Sequence, residues 1–307
     1  MKQLSDLPSY YVLLRWRDPM PDLTQRKRYE WKIRDTTLVL GERTLIVGVL
    51  NVTPDSFSDG GKFLDPDRAF ARAIELEEEG ADIIDIGAES TRPGAVRVSE
   101  AEELRRLVPV LKRLHQKLAT PISVDTYKAA VAEKAQELGA HIINDPSGLT
   151  FDPELARAVM HGGGGLILNH MRGTPETWLK LPPLKDVIRT IGSELDACIH
   201  RAVRSGVDRR QLAVDPGLGF GKRKEQNAVI LARLEELAQL DLPLMAGPSR
   251  KHFVARESSG ETEFATAAAV TAAILHGAHM VRVHDVKAMK AVVEVADEIV
   301  RESGAGL

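Results

Sequence analysis

Polar side chains that can do chemistry recur at one kind of place in this 307-residue sequence, directly after short apolar runs. Asp and Asn hold the earlier of these positions, and Arg, Lys and His hold the later ones. In chain order they are Asn51, Asp85, Asp125, Asn144, Asn169, Asp215, the pair Arg250-Lys251, and Arg282 with His284. Any one alone is more simply a cap or a solvated loop residue. Because the parallel strands of an α/β fold end on one face, the set together predicts a common binding site.

The earlier group suits a flat, polar ligand. A carboxylate accepts two parallel N–H bonds, so Asp125 and Asp215 match the edge of an amidine-like heterocycle. The amide of Asn144 can both donate and accept hydrogen bonds. These three residues therefore predict a heterocycle at one end of the site.

The later group suits an anion. Arg282 and His284 stand two residues apart, so on a strand they point the same way. Asp285 can cap a following helix, whose N-terminal amides also favour negative charge. With Arg250 and Lys251 these residues predict a cationic corner, at the strand ends where barrels often bind phosphate.

Strands that carry these residues alternate with amphipathic helices. Asp65 before Pro66 predicts one helix start, and Ser99 with Glu102 predicts another through a capping box. The predicted strands are residues 45–50, 81–86, 122–125, 141–144, 166–169, 212–215, 243–246 and 280–283. Eight such units favour an α/β fold of the closed (β/α)8 barrel (TIM barrel) type. An open doubly wound sheet is the alternative.

An internal repeat favours the barrel. A Gly-Ala-(Asp or His) sequence followed by an apolar pair occurs at Gly80, Gly139 and Gly277, where a helix ends and a strand begins. Five residues beyond each glycine lie Asp85, Asn144 and Arg282. By position these belong to the second, fourth and eighth strands, and alternate barrel strands contribute to one interior layer. The three side chains are therefore predicted to lie at one level near the top of the barrel.

Residues 45–61, LIVGVLNVTPDSFSDGG, form the most distinctive stretch. A buried strand is predicted to end in a polar loop whose groups would go unpaired in a core. A surface loop gains nothing from an aromatic side chain at its tip, so Phe57 indicates a functional loop. Residues 31–40 are predicted to pair with 45–50 as a hairpin across residues 41–43. Residues 1–32 are predicted to be an N-terminal extension, and residues 33–307 the barrel.

Composition excludes several other classes of protein. The sequence is 43% hydrophobic and 28% charged with a net charge of −3, which gives no electrostatic case for nucleic acid or an anionic membrane. Its one cysteine, Cys198, fits a reducing cytoplasm, and no signal peptide, membrane span or zinc spacing is present. Residues 217–222, GLGFGK, lack the spacing and the Ser or Thr of a P-loop, and Gly162–Gly165 precedes a strand instead of following one.

Together these segments resemble dihydropteroate synthases, a family of pterin-binding enzymes. The matching motifs are NVTPDSFSDGG from Asn51, GAESTRPGA from Gly87, SVDT from Ser123, IND from Ile143, NHMRGTP from Asn169, DPGLGFGK from Asp215, SRK from Ser249 and RVHDV from Arg282. They span residues 38–300 approximately, in family order. The sequence departs from the family pattern at Ala88, Pro248 and His252.

The resemblance implies a (β/α)8 barrel that condenses 6-hydroxymethyl-7,8-dihydropterin diphosphate with 4-aminobenzoate, with Mg²⁺ as cofactor. It implies a cytoplasmic homodimer, a target of sulfonamides, with no nucleic-acid or membrane partner. The implied pterin pocket is Asp125, Asn144, Asp215 and Lys251; the magnesium contact is Asn51; the diphosphate clamp is Arg282 with His284. The implied aminobenzoate side is Thr91, Arg92, Pro93, Phe57, Phe220 and Ser249. Asp85 is predicted as a further substrate-binding residue, and the catalytic set as Asp125, Lys251, Arg282 and His284.

Two other functions are compatible with such a barrel. One is a methyltransferase that acts on methyltetrahydrofolate, whose substrate carries no diphosphate. The presence of both Arg282 and His284 argues against it. The other is a non-catalytic paralogue that only binds pterin, which would be expected to have lost loop residues that are present here.

Overall fold

Eight parallel strands close into a barrel in this computed structural model, which describes residues 26–53, 65–90 and 95–304. The strands are β1 (Tyr29–Ile33), β2 (Thr36–Leu40), β3 (Leu45–Asn51), β4 (Ile83–Gly87), β5 (Ile122–Asp125), β6 (Ile142–Asp145), β7 (Gly165–Asn169), β8 (Leu212–Asp215), β9 (Met245–Ala246) and β10 (Met280–Val283). The α-helices are α1 (Pro66–Glu79), α2 (Glu100–Leu114), α3 (Ala129–Glu137), α4 (Leu155–Gly162), α5 (Val187–Arg204), α6 (Lys224–Ala232), α7 (Ser259–Leu275) and α8 (Val286–Gly304).

Strand order shows how the barrel closes. Strands β3 to β10 are parallel and neighbour one another in the order β8-β7-β6-β5-β4-β3-β10-β9. Val214 of β8 bridges to Leu244, immediately before β9, and its N–H donates to the carbonyl of Pro243 at 2.9 Å. The two ends of the sheet therefore meet. The predicted (β/α)8 barrel is confirmed and the open doubly wound sheet is excluded. In the described part of the chain, no helix has the length and apolar character needed to cross a membrane.

The N-terminal hairpin differs from the prediction. β1 and β2 pair with each other, antiparallel, around a turn at Arg34, whose φ is +47°. β3 pairs instead with β4 and β10 inside the barrel. The predicted pairing of residues 31–40 with 45–50 is wrong because Arg34 reverses the chain within residues 31–40. Strand β3 is also apolar along nearly its whole length, as a strand covered on both faces requires.

The hairpin covers the floor of the barrel, the end at which the strands begin. Trp31, Ile33 and Leu40 are buried against the lowest layer of interior side chains. The indole N–H of Trp31 donates to the carbonyl of Gln211 at 2.8 Å, so its one polar group is satisfied. Apolar packing thus closes the floor. The opposite end, which we call the mouth, carries the polar residues at the strand ends. The division of the chain at residue 32 stays a prediction.

Helix starts agree with the sequence signals in part. Asp65 caps α1 through its side chain and Gly80 ends that helix in the left-handed conformation, both as predicted. Ser99 caps α2 by accepting the N–H of Glu102 at 3.2 Å. The reciprocal half of the predicted capping box is not made, because the Glu102 carboxylate binds Arg106 at 2.7 Å. A nearby cation competes successfully for that carboxylate.

The repeat predicted from the sequence is confirmed and has a second function at the floor. The residue two positions after each repeat glycine donates its N–H to the carbonyl of a residue at the start of the preceding strand. Its side chain accepts the N–H of that same residue. These pairs, which we call floor clasps, are Asp82 with Ile46, His141 with Ile122, and His279 with Leu244, with side-chain bonds of 2.8, 3.2 and 3.2 Å. Each clasp joins two neighbouring strands through two hydrogen bonds between one pair of residues, and so sets their register.

The His279 clasp requires a neutral ring. Its Nδ1 accepts from Leu244, and its Nε2 lies 3.0 Å from the carbonyl of Lys27, which places the proton on Nε2. Burial lowers the pKa of His279 to about 4. Acid therefore favours the unfolded chain, in which the histidine binds a proton at its ordinary pKa.

We expect His279→Ala to lower the free energy of unfolding by about 1–3 kcal/mol, because the buried N–H of Leu244 loses its acceptor. His279→Asn should recover much of this loss, since its amide oxygen can replace Nδ1. As the pH falls from 6.5 to about 4, the wild-type chain should lose stability that His279→Asn does not lose. Urea unfolding across that pH range measures both effects. Equal losses in the two variants would show that ring packing, and not the hydrogen bond, stabilises this part of the floor.

Candidate active site

A buried network joins the three repeat positions at the mouth of the barrel. Asp85 is completely buried, and its Oδ2 accepts from Asn144 Nδ2 at 3.1 Å and from Arg282 Nε at 2.7 Å. The predicted common level of these side chains is therefore confirmed. Asp85 does not line the pocket described below, and its two hydrogen bonds orient Asn144 and Arg282, which do. Its role as a substrate contact stays a prediction.

Arg282 also reaches across the barrel to Asp125, with its guanidinium 3.1 Å from Asp125 Oδ2. Burial disfavours the charge of Arg282, but the carboxylates of Asp85 and Asp125 outweigh this effect and raise the pKa of Arg282. The heterocycle end and the anion end were predicted to lie opposite each other. The structure joins them, because the buried guanidinium of Arg282 donates to the carboxylates of both Asp85 and Asp125.

The network borders a recess of about 330 Å³ at the carboxyl ends of the strands. Both polar and apolar side chains surround it. The lining residues are Asp125, Asn144, Pro146, Asn169, Asp215, Leu218, Phe220, Met245, Gly247, Lys251 and Arg282. A small pocket with a few convergent polar groups in an apolar wall is typical of a site for a flat organic ligand.

Asp215 ends β8 and forms one side of this recess. Its Oδ1 accepts the N–H of Gly217 at 2.6 Å, and its backbone carbonyl accepts the N–H of His170 at 2.9 Å. Burial raises the pKa of Asp215, while the Gly217 N–H and the nearby ammonium of Lys251 oppose that shift. One backbone N–H thus orients the carboxylate, and another holds the main chain of Asp215.

Lys251 and Phe220 form an adjoining wall. The ammonium of Lys251 lies 4.0 Å from the centre of the Phe220 ring, a cation–π contact, and Phe220 packs edge-on against Trp178. Burial and the nearby charge of Arg282 lower the pKa of Lys251 to about 8. Burial raises the pKa of Asp125 to about 7, although Arg282 opposes the shift. Two groups with perturbed pKa values in one cleft are typical of a functional site.

Ser249 and His284 meet beside this wall. Ser249 Oγ lies 3.0 Å from His284 Nδ1 and accepts the N–H of His284 at 3.2 Å. Asp285 caps α8 by accepting the N–H of Ala288 at 2.9 Å, as predicted. Arg250 does not join the predicted cationic corner. It is exposed, has a φ of +55° and donates to Glu263 of α7 at 3.0 Å, which leaves Lys251 and Arg282 to face the recess.

Asn51 ends β3 at the same mouth. A side chain on Gly87 of the neighbouring strand would lie 3.7 Å from Asn51 Oδ1 and 3.8 Å from Asp125 Oδ2. The glycine therefore leaves both oxygens accessible across one small gap. In residues 26–53, 65–90 and 95–304, no cluster of three or more His, Cys, Asp or Glu side chains could hold a metal ion. A hard cation that binds few protein ligands and keeps phosphate oxygens and water, such as Mg²⁺, fits this arrangement.

Several predicted residues lie outside the described part of the chain. They are Phe57 in the first loop and Thr91, Arg92 and Pro93 in the second. Other residues of the recess were not predicted as site residues. Asn169 was noted only as a strand end, where its Nδ2 donates to the carbonyl of Pro146 at 2.8 Å. Met245 and Leu218 carry no polar signal, and only the closed barrel shows that they face the recess.

This barrel with its mouth network belongs to a known class of enzymes. Residues 47–284 match the model of the pterin binding enzyme family, and the chain belongs to that family. Similar proteins within the family include dihydropteroate synthases. The enzyme of Synechocystis sp. is 41% identical over 305 residues, which cover 98% of this chain and all of the relative.

Solved structures agree with this assignment. The Yersinia pestis dihydropteroate synthase, solved with a sulfonamide drug complex, has a TM-score of 0.83 and 40% sequence identity, covering 88% of this chain and 98% of that one. The Xanthomonas albilineans enzyme, solved in complex with 7,8-dihydropteroate, has a TM-score of 0.76 and 38% identity, covering 85% and 95%.

Proposed function

We propose that this chain is a dihydropteroate synthase, which joins 6-hydroxymethyl-7,8-dihydropterin diphosphate to 4-aminobenzoate and releases diphosphate. The observation that carries this proposal is the mouth network. A buried carboxylate, Asp85, orients an amide and a guanidinium toward a recess that also presents Asp215 and Lys251. Neither a methyltransferase nor a non-catalytic pterin-binding role is favoured by any feature of the described residues.

The pterin ring occupies the recess in this proposal. Its amino and ring N–H groups donate to Asp215, whose Oδ1 already accepts from Gly217. Asn144 offers both a donor and an acceptor to the ring. The ammonium of Lys251, with its lowered pKa, donates to a ring acceptor and is supported by its contact with Phe220.

The diphosphate lies toward Arg282, His284 and the N-terminus of α8. As the bond between the methylene carbon and the bridging oxygen breaks, the electron pair leaves with the diphosphate. Arg282 stabilises the developing negative charge, and the positive methylene is delocalised into the pterin beside the carboxylate of Asp125. The amine of 4-aminobenzoate forms the new C–N bond and gives up a proton to solvent. The reaction therefore needs no nucleophile from the protein.

Mg²⁺ is proposed as the cofactor, held by Asn51 Oδ1 and by oxygens of the diphosphate. When bound, it would neutralise charge on the leaving group. The support is the position of half-buried Asn51, whose Oδ1 faces Gly87 on the side where Asp125 and Arg282 meet.

A homodimer in the cytoplasm is proposed as the working form. Phe264 on α7 is 80% exposed, and Val295 and Ile299 on the neighbouring α8 are 57% and 48% exposed. Apolar side chains on adjacent helices support a shared interface with a second copy. The single cysteine, Cys198, is buried, which is compatible with a reducing compartment. The mass of the protein in solution tests the dimer.

Diphosphate release that depends on 4-aminobenzoate tests the proposed reaction. We expect release only when the pterin diphosphate, 4-aminobenzoate and Mg²⁺ are all present, and we expect EDTA to suppress it. A sulfonamide should compete with 4-aminobenzoate. Binding of the pterin without any release, at saturating 4-aminobenzoate and Mg²⁺, would indicate the non-catalytic role instead.

A further inference from the structure

Lys222 is a buried cation that the proposed reaction does not use. It ends the loop after β8, is 8% exposed and does not line the recess. Its ammonium donates to the carbonyl oxygens of His170 at 2.8 Å and Gly217 at 2.7 Å. Among the described residues, no carboxylate forms an ion pair with it. Burying an ammonium without an ion-pair partner is costly, so its position needs an explanation.

The two carbonyls that Lys222 binds belong to the two residues that hold Asp215. The N–H of His170 donates to the Asp215 carbonyl at 2.9 Å, and the N–H of Gly217 donates to Asp215 Oδ1 at 2.6 Å. Lys222 therefore connects the loops after β7 and β8, of which the first bonds the main chain of Asp215 and the second bonds its carboxylate. Few side chains could replace this arrangement, because it depends on the reach of the lysine and on three donors at its end.

Glycine 217 shows how closely the two loops approach. Its φ is +67°, and a Cβ atom there would lie 1.9 Å from the carbonyl oxygen of His170 and 2.9 Å from Lys222 Nζ. No side chain fits between the loops at this point, and the carbonyl oxygens of His170 and Gly217 converge on Lys222 Nζ. The ammonium compensates the negative ends of these two dipoles and keeps the loops together.

The charge of Lys222 also acts on Asp215. Burial raises the pKa of Asp215 and lowers the pKa of Lys222, and the charge of each group opposes the shift of the other. The charged groups that act on Asp215 or on Lys222 are Lys251, Arg282, Glu194 and Arg172. A carboxylate that must accept N–H bonds from a ligand has to stay ionised, and a cation placed below it favours the ionised form.

We propose that Lys222 is a positioning residue for pterin recognition, which holds together the two loops that fix Asp215 at the recess. This inference rests on the proposed function, because it requires that the recess binds a pterin. It assigns a role to residues 217–222, whose GLGFGK sequence resembles a P-loop without being one. The lysine here donates to two carbonyl oxygens of the protein itself.

Three variants test the inference. Lys222→Gln keeps N–H donors for the carbonyls and removes the charge, Lys222→Met removes both, and Lys224→Met removes an exposed lysine two residues away as a matched control. The binding of 6-hydroxymethylpterin is measured by calorimetry between pH 5 and 8. Pyrophosphate binding is measured in parallel, because it depends on Arg282 and His284 and reports that the barrel is intact.

We expect Lys222→Gln to move the acid limit of pterin binding up by about one pH unit, which is a tenfold loss of affinity below that limit. Lys222→Met should show the same shift and weaker binding at every pH. Lys224→Met should match the wild type. An unchanged pH profile in Lys222→Gln would overturn the inference, as would full affinity in both Lys222 variants. If Lys222→Met does not fold, Lys222→Gln alone is compared with the wild type. A wild-type protein that binds no pterin would instead overturn the proposed function itself.

Discussion

Replacing Arg282 with alanine should abolish the rise in melting temperature that pyrophosphate produces in the wild-type protein. Arg282 is the side chain that faces both the recess and the proposed diphosphate position, and a ligand stabilises a protein only by binding its folded state. The same change should lower the free energy of unfolding by about 3–5 kcal/mol, because the completely buried Asp85 loses its cationic partner. Thermal melts with and without pyrophosphate, and urea unfolding, measure the two effects separately.

The two losses can be separated by a second change. Adding Asp85→Asn to Arg282→Ala removes the buried charge and should restore much of the stability without restoring pyrophosphate binding. Arg282→Lys keeps a positive charge but lacks the planar fork whose separate nitrogens reach Asp85 and Asp125, so it should bind pyrophosphate weakly. If pyrophosphate still stabilises Arg282→Ala after correction for its lower stability, Arg282 does not bind the diphosphate.

Asp215→Asn should weaken pterin binding by roughly 1.5–3 kcal/mol, the contribution of a hydrogen bond to a charged group, or about 10- to 150-fold in affinity. One oxygen of Asp215 already accepts from Gly217, so the other must serve the ligand. In the asparagine variant the retained oxygen would stay with Gly217. An N–H group would then face the N–H groups of the pterin, which replaces an attraction with a repulsion. Calorimetry with a diphosphate-free pterin measures the change.

Asp186→Asn is a matched control for this substitution. Asp186 caps α5 by accepting the N–H of Arg189 at 3.2 Å, and asparagine caps helices as well as aspartate does. The same chemical change should therefore leave pterin affinity unaltered. Pterin binding that is equally strong in Asp215→Asn and in the wild type would remove Asp215 from the pocket.

Much of the barrel could be predicted because strand ends and helix ends carry local signals. The bounds of β5, β8 and β10 agree with the prediction at both ends, and the repeat glycines adopt the left-handed conformation that ends a helix. The repeat also predicted that Asp85, Asn144 and Arg282 share a level. That inference succeeded because alternate strands of a barrel are equivalent, so spacing along the chain translates directly into height in the barrel.

What could not be predicted depends on neighbours that are distant in sequence. Arg250 adjoins Lys251 but turns outward, because Glu263 on α7 offers it a partner that the local sequence does not reveal. Lys222 has the sequence context of a surface residue beside three glycines, and its burial follows only from the approach of the loop that contains His170. The hairpin was misplaced because alternation within residues 31–40 does not show where the chain reverses.

The floor clasps separate two tasks that each repeat strand performs. The clasp residues fix how neighbouring strands are aligned; they are Asp82, His141 and His279. The residues of the mouth network lie three positions further on, about 10 Å higher along each strand; they are Asp85, Asn144 and Arg282. Carboxylate and imidazole do the same work in the clasp, so this position tolerates different side chains provided that they accept one hydrogen bond. Such a division makes the scaffold modular. Residues at the mouth could change in evolution, and the substrate with them, while the floor clasps kept the alignment of the strands unchanged.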